Sequence, residues 1–364
     1  MPATPTAVAA AKPDHRWAEV AAGVDHTCAR TFAGEVFCWG SNERGQIGDG
    51  TEIDRPRPAR VHLDGEAVEL ALSNYASCAR LANGTVACWG DSTGWDDKEA
   101  GKMEHVLTPS PAVRIAGATR LFKGELLAAC VTRSDGAVAC WGIHTEPGHP
   151  VGQKLGAREA PLLRGAVRIG FGMSFGCALW EIPGELRCWG HEPLYRVFGD
   201  AKTTRHEVPG PIPGLPKVRS FFADFTRTCA VAADDSVYCW GDRLQTYESS
   251  NSPALTWIKP TRVEGLSDIV EVRHDLSVLC ALRRDGAVLC LGRNDKGQLG
   301  DGTTTRRLAP ARVAVVEDAV GIALTNHGCA VSRGGKLWCW GENTRGQVGD
   351  GTTSDRLTPV EIAP

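Results

Sequence analysis

The chain has 364 residues, of which 42% are hydrophobic and 23% charged, with 42 glycines, 21 prolines and 14 cysteines. The apolar share supports a core and the charged share is ordinary, which excludes wholesale disorder. A net charge of −3 and the lack of any apolar run of about 18–20 residues argue against a nucleic-acid binder and against a membrane span.

Residues 1–16, MPATPTAVAAAKPDHR, carry neither a basic start nor an apolar stretch, so they read as a flexible lead and not as an intact signal peptide. From residue 17 to 364 the cysteines set the rhythm. They form seven pairs, 28/38, 78/88, 130/140, 177/188, 229/239, 280/290 and 329/339, and the first members recur at intervals of 50, 52, 47, 52, 51 and 49. A period near 50 predicts a repeat architecture, and four strands of about 5–6 residues with their turns fill one propeller blade of about 40–50. The fold expected is all-β, a seven-bladed propeller of four-stranded antiparallel blades. Unit one begins at Trp17–Val20 without a preceding Pro-x-x-Val strand, and the chain ends on Pro359-Val360-Glu361-Ile362. The expectation is therefore a ring closed by N- and C-terminal strands sharing one blade, which removes free sheet edges.

Each cysteine pair brackets a hairpin. Gly34, Gly84, Gly136, Gly286 and Gly335 stand one residue past the midpoint, with Asp235 in unit five and Gly184 in the longer loop of unit four. A three-residue turn needs a left-handed backbone there. That register opposes 31 to 35, 30 to 36 and 28 to 38, so Cys28, Cys78, Cys130, Cys177, Cys229, Cys280 and Cys329 face Cys38, Cys88, Cys140, Cys188, Cys239, Cys290 and Cys339 across neighbouring strands. Seven cross-strand disulfides are expected. The alternative is a set of reduced cysteines acting as small core hydrophobes.

Trp-Gly follows the second cysteine in six units, and Leu291-Gly292 in unit six. Units one, six and seven then continue with a glycine-rich loop: Gly45–Thr51, Gly297–Thr303 and Gly346–Thr352. This loop lacks the Lys-Ser/Thr pair of a phosphate loop and the alternating oxygens of a calcium loop. Units two to five replace it. Unit two has Trp95, Asp96, Asp97 and His105; unit three His144 and His149; unit four His191, Tyr195, Arg196 and His206; unit five Tyr247 and Trp257. Corresponding loops of successive blades lie on one side of a propeller, and Tyr, Trp and Arg are enriched in interface hot spots. This arc is the expected partner-binding surface. His105, His144, His149, His191 and His206 are also the donors a zinc or copper ion would use, but no local ligand triplet is present and no cofactor is expected.

The pattern G-x-x-H-T-C-A, G-x-V-x-C-W-G, x-N-x-x-G-Q-x-G-D-G-T resembles the repeat of the regulator of chromosome condensation family. Unit one shows it in full: Gly23, His26, Cys28, Gly34, Val36, Trp39, Gly40, Asn42, Gly45, Gln46 and Gly48. The resemblance implies a seven-bladed propeller over residues 17–364, and the paired cysteines look like a version found in exported bacterial proteins. The family hosts nucleotide exchange on a small GTPase, nucleosome binding, ultraviolet reception and β-lactamase inhibition, so fold alone does not select a function.

Paired cysteines leave no thiol over for nucleophilic chemistry, and no G-x-S-x-G elbow occurs. The first reading is a non-catalytic protein- or peptide-binding scaffold. It is monomeric, binds no nucleic acid and has no membrane span, though a lipid anchor is compatible. Its place is periplasmic, cell-surface or secreted, because persistent disulfides need an oxidising compartment; reduced cysteines would return it to the cytoplasm. Two alternatives stay open: a guanine-nucleotide exchange factor, and an enzyme with a metal or channel site on the rewritten loops.

Overall fold

The computed structural model describes residues 14–91, 105–112, 115–124, 129–143, 147, 154–181, 184–191, 197–200, 205–241, 258–275 and 277–364. They form seven four-stranded antiparallel sheets arranged as the blades of a ring. Blade one runs Trp17–Ala22, His26–Thr31, Val36–Gly40 and Arg55–Val61, each strand pairing with the next in sequence. The other six blades repeat that order, and their innermost strands are Ala67–Leu72, Ala118–Lys123, Arg168–Phe171, Val218–Asp224, Ile269–His274 and Ala319–Leu324.

The turn chemistry sets the register as expected. Gly34 has φ +77°, Thr31 donates to Glu35 O at 2.9 Å, and Arg30 opposes Val36. Asp235 takes the same left-handed conformation, with φ +63°. Each first cysteine directly opposes its partner, with Cα atoms 4.0–4.1 Å apart. All seven pairs stand at disulfide distance, and none of the 14 cysteines is left free.

The core lies between blades. Seven buried clusters each join residues of two neighbours, including one that joins blade seven to blade one. In that last cluster Trp17 packs against Cys329, Val331 and Ile362, and its indole N–H donates to Ile362 O at 2.8 Å.

Ring closure differs from the sequence expectation. Among the described residues no blade mixes strands from the two chain ends: Trp17–Ala22 is the innermost strand of blade one, and Arg356–Ile362 is the outermost strand of blade seven. The Pro-x-x-Val strand of each unit completes its own blade and does not open the next one. Each end of the chain therefore supplies a whole blade, and side-to-side packing closes the ring.

Candidate functional site

Two regions concentrate polar chemistry: the loops that follow Cys-Trp-Gly, and the axial channel walled by the innermost strands.

The tryptophan lies in a bulge of the third strand. In blade one, Cys38 opposes Ala59 while Gly40 opposes Arg55. A Cβ on Gly40 would stand 2.4 Å from Asp25 O, which explains why glycine follows even where leucine replaces the tryptophan in blade six. The bulge aims the buried indole at the loop of the preceding blade. Trp39 donates to Gln347 O at 2.9 Å, Trp89 to Gln46 O at 2.9 Å and Trp340 to Gln298 O at 3.0 Å.

The glycine-rich loop is closed on itself. Asn42 Nδ2 donates to Asp49 at 3.2 Å and to Thr51 O at 2.8 Å, while its Oδ1 accepts the Ile47 N–H at 2.9 Å. Asp49 accepts the Thr51 N–H at 3.0 Å and pairs with Arg55 at 2.6 Å. Burial pushes the Asp49 carboxyl pKa up, but the Thr51 hydrogen bonds and Arg55 outweigh it and hold it below the ordinary value. Asn294 with Asp301 and Asn343 with Asp350 repeat the arrangement. These loops are inter-blade locks whose Asn, Asp and Thr side chains bond within the loop.

Blade four keeps more of this lock than its sequence suggests. Trp240 donates to Val197 O at 2.8 Å, Phe198 is fully buried as Ile47 is, and Gly199 has φ +74° where Gly48 has +79°. So Val197–Asp200 follows the path of Gln46–Asp49, and unit four is only partly rewritten.

Of the expected arc residues, Trp95, Asp96, Asp97, His144, His149, Tyr195, Arg196, Tyr247 and Trp257 lie outside the described residues. The structure places the other three. His105 opens the fourth strand of blade two, 2.6 Å from Glu52 of blade one and 3.7 Å from Asp91. Asp91 is itself paired with Arg44 at 2.9 Å, so His105 belongs to a bridge between blades. His191 is exposed at the end of the third strand of blade four, and His206 stands on the neighbouring strand opposite Gly190. The His206 ring stacks on Phe198 with centroids 4.5 Å apart, and its Nδ1–H donates to Cys188 O at 3.2 Å. His191 and His206 are thus brought to one edge, with His105 two blades away. Among the described residues no group of three His, Cys, Asp or Glu is placed to hold a metal. His26 and His327 are fully buried and reach Ser77 and Thr27 of the adjoining blades at 2.9 and 2.6 Å. Burial lowers the His327 pKa to about 3, keeping it neutral.

The channel escaped sequence reasoning. A cavity of about 400 Å3 lies where the seven innermost strands converge. Glu19, Glu69, Arg120, Arg168 and Glu271 occupy equivalent positions on five of those strands, each one residue before the buried Val20, Leu70, Leu121, Ile169 or Val272. That recurrence of charge beside a core residue was the available signal. Arg30 pairs with Glu19 at 2.7 Å, Arg80 and Arg120 share Glu69 at 2.9 and 3.3 Å, and Arg273 pairs with Glu271 at 2.5 Å. Burial raises the Glu19 pKa against the opposing pull of Arg30. Burial and the like charge of Arg273 lower the Arg168 pKa to about 10.

Repeat models described as "Regulator of chromosome condensation (RCC1) repeat" match residues 17–46 and 325–347, and residues 33–79 and 285–331. With seven blades of this build on the page, these matches decide the family. The chain is a repeat propeller of the regulator of chromosome condensation family. Among curated relatives, the Ultraviolet-B receptor UVR8 of Arabidopsis thaliana is 25% identical over 321 residues, covering 82% of this chain and 70% of the receptor. Ras guanine nucleotide exchange factor C of Dictyostelium discoideum is 38% identical over 94 residues, 25% of this chain and 6% of that protein. Among solved structures, yeast RCC1 (Prp20), crystallised with Kap60, superposes with a TM-score of 0.75 at 18% identity, over 100% of this chain and 90% of that one. Human WBSCR16 gives 0.74 at 19% identity, over 91% and 94%. These propellers share the fold with this RCC1-family chain. No helix among its described residues is long and apolar enough to cross a membrane.

Proposed function

We propose that this propeller is a non-catalytic binding scaffold that works in an oxidising compartment outside the cytoplasm and takes a protein or peptide on the loop face of blades two to five. The observation that carries this reading is the pairing of all 14 cysteines at disulfide distance, each at most 1% exposed. Such pairs persist where the surroundings are oxidising. They tie the two middle strands of every blade together into a rigid frame, which limits the entropy lost on binding. The same fold in yeast is crystallised with a protein, Kap60, which supports protein recognition as its use. The contact residues proposed are Trp95, Asp96, Asp97, His105, His144, His149, His191, Tyr195, Arg196, His206, Tyr247 and Trp257. The pairing counts against nucleotide exchange on a cytosolic GTPase.

Two measurements test the reading. Thiol alkylation with mass spectrometry on protein from its native source is expected to label 14 cysteines only after reduction; labelling without reductant overturns the compartment. The combined change Trp95→Ala, Tyr195→Ala, Tyr247→Ala and Trp257→Ala is expected to abolish partner capture with thermal unfolding unaltered. Capture at wild-type strength overturns the placement of the surface.

A further inference from the structure

The inner rim of the loop face has an apolar side and an acidic side. In each blade the turn from first to second strand stands at the mouth of the axial channel, and Gly23, Asn74, Asp224 and Thr325 of these turns line the cavity itself. On the arc of blades two to five the described turns carry Tyr75, Met173 and Phe225. Tyr75 and Met173 are 42% and 46% exposed, and Phe225 is partly exposed. Phe225 has φ +38°, and among the described turns of this kind it alone is left-handed. A bulky side chain is an outlier there, whereas glycine would sit without steric cost. The Phe225 N–H donates to the Asp224 carboxylate at 3.0 Å, and its carbonyl accepts the Met173 N–H at 2.8 Å, which joins Met173 and Phe225 as neighbours across two blades. The turn by itself gives no reason to keep an aromatic residue at this cost, and strain of this kind gathers at binding sites. On the other side of the rim, blades seven and one carry Glu342 and Asp25, both partly exposed. The nearby Arg345 is taken by Glu43 and Asp54, and Lys296 by Asp355, so Asp25 and Glu342 form no ion pair among the described residues. Burial and the like charge of Asp25 push the Glu342 carboxyl above its ordinary value.

We propose that this rim anchors an extended segment of the protein partner, with a bulky apolar side chain against Met173 and Phe225 and a lysine or arginine against Asp25 and Glu342. The rim extends the partner surface proposed above, on which it rests, and gives the chemistry of what binds there. Three features select such a segment. Aromatic residues and methionine are enriched where interfaces are fully buried. The two unmatched carboxylates gain from a cation and repel an acidic segment. Tyr75 lies between the two sides around the ring, held by Arg44 stacked on it at 4.6 Å, so it offers a contact that is already ordered.

The test pans a displayed library of random peptides on the full oxidised chain and measures a synthetic copy of an enriched peptide by fluorescence anisotropy. Enriched sequences are expected to pair lysine or arginine with a bulky apolar residue. Affinity is expected to fall about tenfold or more in Phe225→Gly, the loss of one aromatic anchor, and to fall also in the double change Asp25→Asn with Glu342→Gln. Phe225→Gly relieves the strained turn and is expected to unfold no earlier than wild type; should it fail to fold, Met173→Gln must show the weakening. Equal affinity in wild type and Phe225→Gly overturns the proposal. So do acidic enriched sequences, and so does a lack of any enrichment, while the loop surface keeps its own test by partner capture. A peptide that loses affinity in the combined Trp95, Tyr195, Tyr247 and Trp257 variant but not in Phe225→Gly overturns the rim and sustains the outer loops.

Discussion

Blades one, six and seven and blades two to five solve the same packing problem in different ways. The first group follows Cys-Trp-Gly or Cys-Leu-Gly with a glycine-rich loop whose Asn, Asp and Thr bond one another and whose Gln carbonyl receives the tryptophan of the next blade. The repeat matches fall on this group and its borders, residues 17–79 and 285–347. Blade four stands between the groups, with the main-chain path kept at Val197–Asp200 and different side chains on it. The difference teaches that the signature of the repeat is a structural lock. Where it is absent, hairpin cysteines and buried tryptophans such as Trp141 still hold the blade.

The largest expected effect breaks the lock at its receptor. Trp89→Leu removes buried aromatic surface and the hydrogen bond to Gln46 O, and is expected to cost about 2–4 kcal/mol. About 1 kcal/mol of that is the net worth of the hydrogen bond. Denaturant unfolding measures the loss. A variant as stable as wild type would mean that the loop gains nothing through the tryptophan.

A smaller effect comes from within the loop. Asn343 is fully buried, donates to Asp350, Thr352 and Ser354, and accepts from Val348. Asn343→Ala strands the Val348 N–H and the loop carbonyls, and about 2–3 kcal/mol is expected from unsatisfied buried groups. Hydrogen exchange is expected to accelerate at Val348 and Thr352 while blades two to five keep their protection. Uniform acceleration around the ring would show that the loop is not a local unit.

Much of this was legible because it is local. A cysteine pair ten residues apart around a left-handed glycine has one register, and the structure has that register in blade after blade. What escaped was non-local or carried by the backbone. The Pro-x-x-Val strand fits the edge of either adjacent blade by pattern, so the closing blade was misassigned. The lock of blade four was invisible because the tryptophan's acceptor is a main-chain carbonyl, which Val197 supplies as well as Gln46 does. The channel charges lie about 50 residues apart and meet only at the axis; no single unit shows that Arg168 lacks the partner that Arg120 has.

The smallest effect uses pH to separate the two groups of blades. The carboxyls of Asp49, Asp301 and Asp350 are raised by burial, but the hydrogen bonds from Thr51, Thr303 and Thr352 and the charges of Arg55, Arg307 and Arg356 bring them below the ordinary value. A carboxyl depressed in the folded state contributes stability above its unfolded pKa and loses it as pH falls through the folded pKa. The window therefore opens near pH 4, about where a free aspartate titrates, and extends downward. Global unfolding reads it poorly, because burial raises the pKa of Glu19, Asp25, Asp275 and Glu342, and these work in the opposite direction. A local reading avoids the cancellation. The amides of Thr51, Thr303 and Thr352 donate to the three carboxylates at 3.0, 3.0 and 2.9 Å. Their protection factors are expected to fall together below about pH 4, while the hairpin amides of Thr31 and Arg133 hold. Loss at all sites at once would mean that the carboxylates titrate with the whole ring and not with the lock.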